Sequence, residues 1–324
     1  MNNKIISFLS HRIFVLIAMI IILVIFVSIG APQFLSERTF HNLLNNLSIL
    51  AIVSLGQMIV MVTAGIDISV GTAMGLVAMS VGLLIIEYPN MNPIIAILIG
   101  MIMGTTMGFV NGLLVVKGKI VALIATLATM NIFRGINVLI NNIFYEGQYI
   151  GAEKLSTEFK NITRVEILGL PIMIYYVLLI YLIFYFVLHH TRFGRQIYAS
   201  GSNIDAANTL GINTTKVLIG AYSMCGLMFG IAGVLYLSLY TSAQTDTGLG
   251  FEFITITAVI IGGVSVFGGS GILWGVLLGT LFMTIITDSL NILKISPFWK
   301  MALNGIMLLS AILINHYIET RKKK

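Results

Sequence analysis

Three short polar stretches in an otherwise apolar chain hold the residue types that could do chemistry. The chain has 324 residues, of which 58% are apolar and 9% are charged. The first stretch, residues 63–71, places Asp67 and Ser69 between Gly65 and Gly71. A carboxylate beside hydrocarbon is costly unless it meets a cavity, a protein partner or freed backbone groups. Two interpretations follow: a broken helix that lines a path, or a turn in which Asp67 caps the helix that starts near Ser69.

Glycine dominates the second stretch, residues 262–271, which leads into another apolar segment. The candidate pathway residues in this stretch are Gly262, Gly263, Ser265, Gly268 and Gly269. A shift of 198 positions aligns Gly65 with Gly263 and Gly71 with Gly269. The alignment suggests two related halves, each with a break in a helix.

Residues 189–216 form the third polar stretch and carry the pattern of a short helix. Ser202 or Asn203 is a suitable N-cap, and Gly211 follows as a stop signal. The residues expected to act in this loop are Gly201, Asn203, Asp205, Ala206, Ala207 and Gly211. A helix of this kind either docks into the groove of a partner protein or simply connects two spans in solvent.

The surrounding composition predicts a membrane protein. A mean hydropathy of +1.01 is incompatible with a soluble surface, since soluble proteins carry about 25% charged residues. Crossing about 30 Å of hydrocarbon takes roughly 20 apolar residues. Such segments fall at 13–30, 42–62, 70–86, 94–116, 120–140, 171–188, 217–240, 254–268, 272–290 and 298–316. The predicted fold is all-α, a polytopic transmembrane helical bundle that forms a single domain over residues 1–324.

Two of these ten segments, 70–86 and 254–268, are short and border the polar stretches near 63–71 and 262–271. Each of them either spans the membrane or is broken or re-entrant.

Lysine and arginine predict the orientation. Most of the 18 basic residues lie in the two termini and in alternate connections when the N-terminus is cytoplasmic, as the positive-inside rule requires. This predicts an even number of spans, both termini in the cytoplasm, and residues 189–216 on the cytoplasmic side. The net charge of +6 is scattered along the chain, which argues against a nucleic-acid surface.

Two further features lie inside predicted spans. Arg134 is a candidate for lining a path, for reaching the headgroups, or for pairing with Asp288, which lies similarly deep in its own span. Between Gly100 and Gly112, glycine recurs at every fourth position. Such a stripe lets helices approach closely, either within the bundle or between subunits.

Together these motifs resemble the permease subunits of bacterial ABC importers for monosaccharides. Asp205 to Gly211 is similar to the EAA loop of ABC permeases, and Thr191 to Asn213 is similar to the ribose-type T-x-F-G-R…G-x-N-x-x-A-A…G-I-N. Gly65 to Gly71 is similar to G-I-D-L-S-V-G, and Gly262 to Gly271 to G-G-x-S-x-x-G-G-x-G. The resemblance covers roughly residues 45–315. The departures from the family pattern are Ala64 for glycine, Asp205 for glutamate, and Asp288-Ser289 for Asn-Gly.

The resemblance implies a permease of the bacterial plasma (inner) membrane that works by alternating access. Its partners would be an ABC ATPase that docks on the 189–216 loop, an extracytoplasmic sugar-binding protein, and a second permease copy, identical or homologous. The chain has no G-x-x-x-x-G-K-[ST] sequence, so the partner subunit would bind ATP and this chain would need no cofactor.

The substrate is expected to be ribose, xylose, galactose or an autoinducer-2-like sugar. Two alternatives stay open. One is an ABC permease for branched-chain amino acids or nucleosides. The other is a stand-alone secondary transporter in which Asp67 and Asp288 carry protons.

Overall fold

The computed structural model describes residues 3–147 and 149–322, and these residues form a bundle of α-helices. The helices of the described residues are α1 (Asn3–Gly30), α2 (Glu37–Val62), α3 (Val70–Glu87), α4 (Pro93–Val116), α5 (Ala122–Tyr145), α6 (Thr157–Arg164), α7 (Ile172–His190), α8 (Arg192–Ser202), α9 (Ile204–Thr209), α10 (Thr214–Tyr240), α11 (Phe251–Ile261), α12 (Leu273–Ile292) and α13 (Pro297–Lys322). Two single 3-10 turns, Pro32–Leu35 and Ala152–Lys154, and an antiparallel pair of two-residue strands, β1 (Glu166–Ile167) and β2 (Leu170–Pro171), connect them. The predicted all-α fold is confirmed.

Nine of the described helices are long and apolar enough to cross a membrane. They are α1, α2, α3, α4, α5, α7, α10, α12 and α13. The short predicted span at 70–86 is one of them, since α3 has 18 residues and is about 27 Å long at 1.5 Å per residue.

The predicted span at 254–268 is the exception. Only Phe251–Ile261 is helical in this region, and 11 residues extend about 16 Å, roughly half of the hydrocarbon layer. Gly262 then ends the helix. The prediction of a spanning helix at 254–268 is therefore wrong, and the broken alternative describes this segment.

The chain nevertheless recrosses the bundle between α10 and α12, because both helices run antiparallel to α2. The neighbouring pairs that show this are Gly56 with Met228, Gly65 with Tyr222, Asn46 with Asp288, and Leu50 with Met283. Two parallel helices can be joined only by a segment that returns across the layer. Residues 241–272 are that segment, with a non-helical part over 241–250, then α11, then the second glycine stretch.

This broken crossing and the nine spanning helices give ten crossings over the described residues, which places the two ends of the chain on the same side. That this side is the cytoplasm stays a prediction from the charges.

The glycine stripe of α4 packs inside the bundle, against α10. A Cβ on Gly104 would lie 2.3 Å from the carbonyl oxygen of Gly226, and one on Gly108 would lie 2.2 Å from that of Tyr222. Such distances leave no room for a side chain. Of the two predicted uses of the stripe, close packing within one chain is what the structure contains.

The centre of the bundle consists of α2, α3 and α10, whose side chains are buried over most of their length. By contrast, α1, α4, α5, α7 and α13 turn many large apolar side chains outward. In a membrane these faces meet lipid tails or another subunit. The first polar stretch joins two of these central helices, α2 and α3, whereas the second joins α11 and α12.

Candidate functional site

The first break starts with a left-handed turn at the end of α2. Ala64 has a φ of 62°, and its N–H donates to the carbonyl of Met61 at 2.9 Å. The N–H of Gly65 donates to the carbonyl of Val60 at 3.1 Å. These are the two bonds of a Schellman motif, in which the left-handed position is usually glycine. Ala64 therefore occupies a strained backbone conformation, at the position where the resemblance expects glycine.

Asp67 is fully buried, and its carboxylate is bonded within the chain. Oδ1 accepts the N–H of Ser69 at 2.8 Å and its hydroxyl at 2.6 Å. Oδ2 accepts Nδ2 of Asn111 on α4 at 3.1 Å. Nearby, the N–H of Ile68 donates to Oγ1 of Thr126 on α5 at 3.1 Å. The cap residue of α3 is Ser69, which makes no side-chain capping bond, and Asp67 bonds the N–H and hydroxyl of that residue. The turn interpretation therefore describes this segment with Ser69 as the cap, and a role of Asp67 in lining a path stays a prediction.

The second break closes α11 with the same pair of bonds. Gly263 has a φ of 91°, and its N–H donates to the carbonyl three residues earlier at 2.9 Å. The N–H of Val264 donates to the carbonyl five residues earlier at 3.2 Å. Gly263 and Val264 therefore make the same bonds as Ala64 and Gly65, which lie 199 positions earlier. The predicted shift of 198 is out by one residue at this turn, because the sequence offers glycines at both positions.

Further bonds fix the second break internally. The N–H of Ser265 donates to the carbonyl of Ser270 at 3.0 Å, and the hydroxyl of Ser265 accepts the N–H of Phe267 at 3.1 Å. Gly262 packs on the backbone of Gly275, which brings α11 against α12. The break is also bonded to α13, where Nδ2 of Asn315 donates to the carbonyl of Val264 at 3.2 Å.

Both breaks meet the C-terminal end of α8. The carbonyl of Val62 accepts the N–H of Gly269 at 2.8 Å. A Cβ on Gly201 would lie 1.7 Å from that carbonyl oxygen and 2.9 Å from the nitrogen of Gly269. The hydroxyl of Tyr198 donates to the carbonyl of Gly271 at 3.2 Å. We call this contact between residues 62–64, 201–202 and 268–271 the junction.

The junction brings together one part of each polar stretch that the sequence analysis identified. Gly201 and Gly269 lie in it, and so does Gly268, where an added Cβ would lie 2.8 Å from the carbonyl oxygen of Gly201. Gly71 lies outside the junction. A Cβ on this residue would lie 2.2 Å from the carbonyl oxygen of Gly248 and 2.6 Å from Oε2 of Glu252.

The loop at 189–216 contains two helices, α8 and α9, where the sequence predicts one. Thr191 caps the unexpected helix α8, accepting the N–H of Gly194 at 3.1 Å. Asn203 caps α9 as predicted, accepting the N–H of Ala206 at 2.9 Å, and Gly211 ends it with a φ of 80°.

Helix α9 presents an exposed surface on one side only. Ala207 is buried against the bundle, whereas Asp205, Ala206 and Gly211 are exposed. Next to them, the apolar side chain of Leu210 is 80% exposed. Exposed apolar and acidic groups on a short helix form a surface suited to docking.

Arg134 lies away from the junction, on an exposed face of α5. It lines a pocket between α3, α5 and the 241–250 segment, with Asn137 and Asp246 among its neighbours. Asp288 lines a different pocket and accepts Nδ2 of Asn46 at 2.9 Å. The predicted pairing of Arg134 with Asp288 is therefore wrong.

A third non-helical segment, residues 241–250, enters the bundle between α10 and α11. A Cβ on Gly75, in the second turn of α3, would lie 2.1 Å from the carbonyl oxygen of Thr247. Polar side chains surround this segment, including Asn137, whose Nδ2 donates to the carbonyl of Thr245 at 3.4 Å. Non-helical backbone at this depth is tolerated where it lines a protein or aqueous cavity.

Sequence reasoning misses this segment, because a short polar run between two apolar segments is typical of an external loop. The sequence feature that could reveal a turn here is the pair of glycines Gly248 and Gly250. Their φ values in the structure are 83° and 86°, in the left-handed region that glycine adopts readily.

A helical bundle with broken crossings that meet a polar loop is the architecture of a membrane transport protein. The profile of a family described as "branched-chain amino acid transport system / permease component" matches residues 39–312. The chain belongs to this family of multi-pass membrane permeases.

Curated relatives match over nearly the whole chain. The ribose import permease protein RbsC of Bacillus subtilis (strain 168) is 37% identical over 294 residues, which cover 91% of this chain and 89% of that protein. RbsC of Haemophilus influenzae is 34% identical over 306 residues, covering 94% and 93%. The autoinducer 2 import system permease protein LsrC of Salmonella typhi is 34% identical over 300 residues, covering 92% and 84%. No solved structure matches the chain.

Proposed function

We propose that this chain is the membrane-spanning permease subunit of an ATP-driven importer for a ribose-type monosaccharide in the bacterial inner membrane. The family description names branched-chain amino acids, whereas the relatives that cover most of the chain are named as ribose and autoinducer 2 import permeases. The observation that carries the coupling mechanism is the junction, where the loop that would meet an ATPase touches both helix breaks.

The exposed surface of α9 would dock on the ATPase. Asp205 stands where the resembling loops carry glutamate, and its exposed carboxylate keeps the charge of that position. Docking would bury Leu210, whose apolar side chain is otherwise exposed in an aqueous compartment. ATP would be bound and hydrolysed on that partner, so this chain needs no cofactor.

The junction would transmit movement of the ATPase to the breaks. Gly201 packs on the backbone of Val62 and Gly269 without an intervening side chain. Packed groups at such distances move together because there is no free space to absorb a displacement. A shift of α8 would therefore move the ends of α2 and α11, and with them the starts of α3 and α12. Alternating access would result from two such arrangements.

The other proposed partners are an extracytoplasmic sugar-binding protein and a second permease copy. The segment 149–171, which carries α6 and the strand pair, packs on the C-terminal end of α10, where Ile150 pairs with Ala243 and the hydroxyl of Ser238 donates to the carbonyl of Phe159. This end lies opposite the junction and would be the surface for the binding protein. The outward apolar faces of α1, α5 and α13 are available for lipid and for the second copy.

The test is transport by the reconstituted importer. The chain is placed in liposomes with the ATPase and binding protein of its own system, and uptake is measured for pentoses, hexoses, autoinducer 2, branched-chain amino acids and nucleosides. We expect ATP-dependent uptake of a monosaccharide or of autoinducer 2 only. Uptake of amino acids or nucleosides instead would refute the substrate class, and uptake driven by a proton gradient without the ATPase would refute the mechanism.

A further inference from the structure

Two adjoining cavities at the end of the bundle opposite the junction have no part in the proposed coupling. The smaller, of about 130 Å³, lies between α2, α10, α11 and α12, and Asp288 lines it. The larger, of about 360 Å³, follows the 241–250 segment, and Asp246 lines it. Tyr240 and Phe251 line both cavities. The larger volume alone falls within the roughly 300–1,000 Å³ typical of small-molecule sites.

The smaller cavity is far from the junction. Asn46 lines it and lies 16 residues before Val62 on α2, which corresponds to about 24 Å along the helix. The larger cavity extends from Tyr240 to Gly248, which packs on Gly71 at the end of the first break. With the junction on the cytoplasmic side, the smaller cavity lies in the outer half of the membrane, where a substrate would enter.

A chain of hydrogen bonds presents a carboxylate to the smaller cavity. The hydroxyl of Tyr240 donates to Oδ1 of Asn46 at 2.5 Å, and Nδ2 of Asn46 donates to Oδ1 of Asp288 at 2.9 Å. These bonds use one carboxylate oxygen of Asp288, which leaves the other available to a ligand in the cavity. The side chain is only 7% exposed, so a bond from a ligand there would form in a largely water-free place and be correspondingly strong.

Aromatic rings stand beside these polar groups. The rings of Tyr236 and Tyr240 are 4.4 Å apart between centroids, at an interplanar angle of 48°, and both line the larger cavity. Aromatic faces are electron-rich and pack against the weakly positive C–H groups of a sugar ring. Carboxylate and amide groups supply the acceptors and donors that hydroxyl groups need.

The lining of the cavities favours a neutral ligand. Neither cavity has Lys or Arg among its lining residues, whereas both Asp246 and Asp288 are acidic. Two cations lie beside the cavities: Arg134 lines a neighbouring pocket together with Asp246, and Nζ of Lys300 donates to Oδ1 of Asn291. A free amino acid needs a cationic partner for its own carboxylate. A neutral polyol has hydroxyl groups that donate to the carboxylates, and it brings no anionic group that would need a cationic partner.

We propose that Asn46, Tyr240, Asp246 and Asp288 form a monosaccharide site on the outer side of the pathway. In this site Asp288 and Asn46 bond sugar hydroxyls, Tyr240 packs its ring on the C–H face, and Asp246 meets the sugar as it enters from the larger cavity. The proposal rests on the proposed function and names where the sugar is held within the membrane.

The test compares Asp288→Asn and Tyr240→Leu with the unchanged protein in the reconstituted importer, using the transported sugar and its single-deoxy analogues. We expect Asp288→Asn to lower uptake of the parent sugar about tenfold, because it weakens one bond between a hydroxyl and a charged group. For the analogue that lacks the hydroxyl bonded by Asp288, the variant and the unchanged protein should transport equally. We expect Tyr240→Leu to lower uptake of every sugar.

Matched controls are Glu87→Gln and Tyr88→Leu, which make similar changes at exposed residues outside both cavities and should leave uptake unchanged. Thermal stability and ATP hydrolysis are measured for every variant. The site is overturned if Asp288→Asn transports normally, or if it lowers uptake of the parent sugar and all analogues by one factor, as a purely structural defect would. A failure of the unchanged protein to transport any sugar would instead refute the proposed function.

Discussion

At the residue scale, side chains bond the backbone groups that lose their helical partners at each break. Asp67 accepts the N–H of Ser69 at the start of α3, and Asn315 donates to the carbonyl of Val264 after α11. Each bond compensates a backbone group freed by the loss of helical pairing. The breaks are therefore ordered parts of the fold, and a change at one of these residues should act on stability and transport together.

Ala64 is the residue whose strain is easiest to relieve. Its left-handed backbone costs roughly 1 kcal/mol for a residue with a Cβ. We expect Ala64→Gly to raise the thermal unfolding midpoint in detergent by about 2 °C. The control Ala128→Gly lies on an exposed face of α5 and should lower the midpoint, because glycine destabilises a helix interior by about 1 kcal/mol. Equal effects of the two variants would show that Ala64 is not strained.

Asp67→Asn tests the capping network. The new amide would place a donor opposite Nδ2 of Asn111, in place of the acceptor Oδ2. We expect a loss of about 2 kcal/mol in stability, typical for a buried charge-assisted bond, with reduced uptake. Thermal unfolding and sugar uptake are the measurements.

The reciprocal exchange is the control for that network. Asp67→Asn combined with Asn111→Asp restores one carboxylate and one amide to the pair and should recover part of the stability. Wild-type stability together with wild-type uptake in the single variant Asp67→Asn would make Asp67 a passive turn residue.

At the scale of elements, α8 connects an exposed loop with two broken helices. The chain approaches so closely at Gly201 that a single Cβ would overlap the carbonyl of Val62. A helix packed backbone to backbone transmits displacement better than one that rests on flexible side chains. In the proposed mechanism α8, rather than α9, would therefore transmit the movement inside the membrane.

Gly201→Ala should therefore uncouple transport. Overpacking of this kind costs about 1–3 kcal/mol, which we expect to lower uptake about tenfold or more while the ATPase still binds. Uptake and co-purification with the ATPase are measured together. Gly135→Ala is the control, because a Cβ there meets nothing within 4 Å. Normal uptake by Gly201→Ala would contradict a role of the junction in coupling.

At the scale of the whole molecule, the proposed ATPase-docking surface and the proposed sugar site lie at opposite ends of the bundle. The α9 surface lies beside the junction, and the smaller cavity, which Asn46 lines, lies about 24 Å away along α2. The helices α2 and α12 reach both ends, since Asn46 and Val62 belong to α2, and Leu273 and Asp288 belong to α12. In the proposed mechanism, these two continuous helices would transmit movement from the junction to the substrate side.

Gly211→Arg tests the docking surface that drives this movement. The position is exposed, and a Cβ would meet nothing within 4 Å, so the side chain fits the isolated chain and projects toward the partner. We expect uptake and co-purification with the ATPase to be lost while membrane insertion is intact. Gly211→Ala carries the same left-handed strain without the bulk, and it should retain most of the uptake. Equal losses in both variants would assign the effect to strain.

Local signals in the sequence account for much of the fold and part of the site. Asn203 and Gly211 bound α9 because capping and left-handed stop signals depend on a few neighbouring residues. The stretch 262–271 is recognisable as a break from its glycines. By contrast, the sequence does not predict α8, since its composition is that of a solvated loop. The shift of 198 is out by one at the turn that ends α11, because Gly262 and Gly263 are indistinguishable in sequence. It holds for Asp67 and Ser265, each of which accepts the N–H two residues later.

The sequence by itself determined that the chain is an all-helical membrane protein, because hydropathy and length are additive properties of neighbouring residues. It also located the two breaks and, through its family motifs, the loop that would meet an ATPase.

Only the tertiary structure decided which groups meet. The junction joins residues near 62, 201 and 269, and the cavity beside Asp288 depends on Asn46 and Tyr240, more than 40 positions away in sequence. Such contacts follow from how helices pack against one another, and packing depends on the shapes of all partners at once. For the same reason the 241–250 segment, which resembles an external loop in sequence, is inside the bundle.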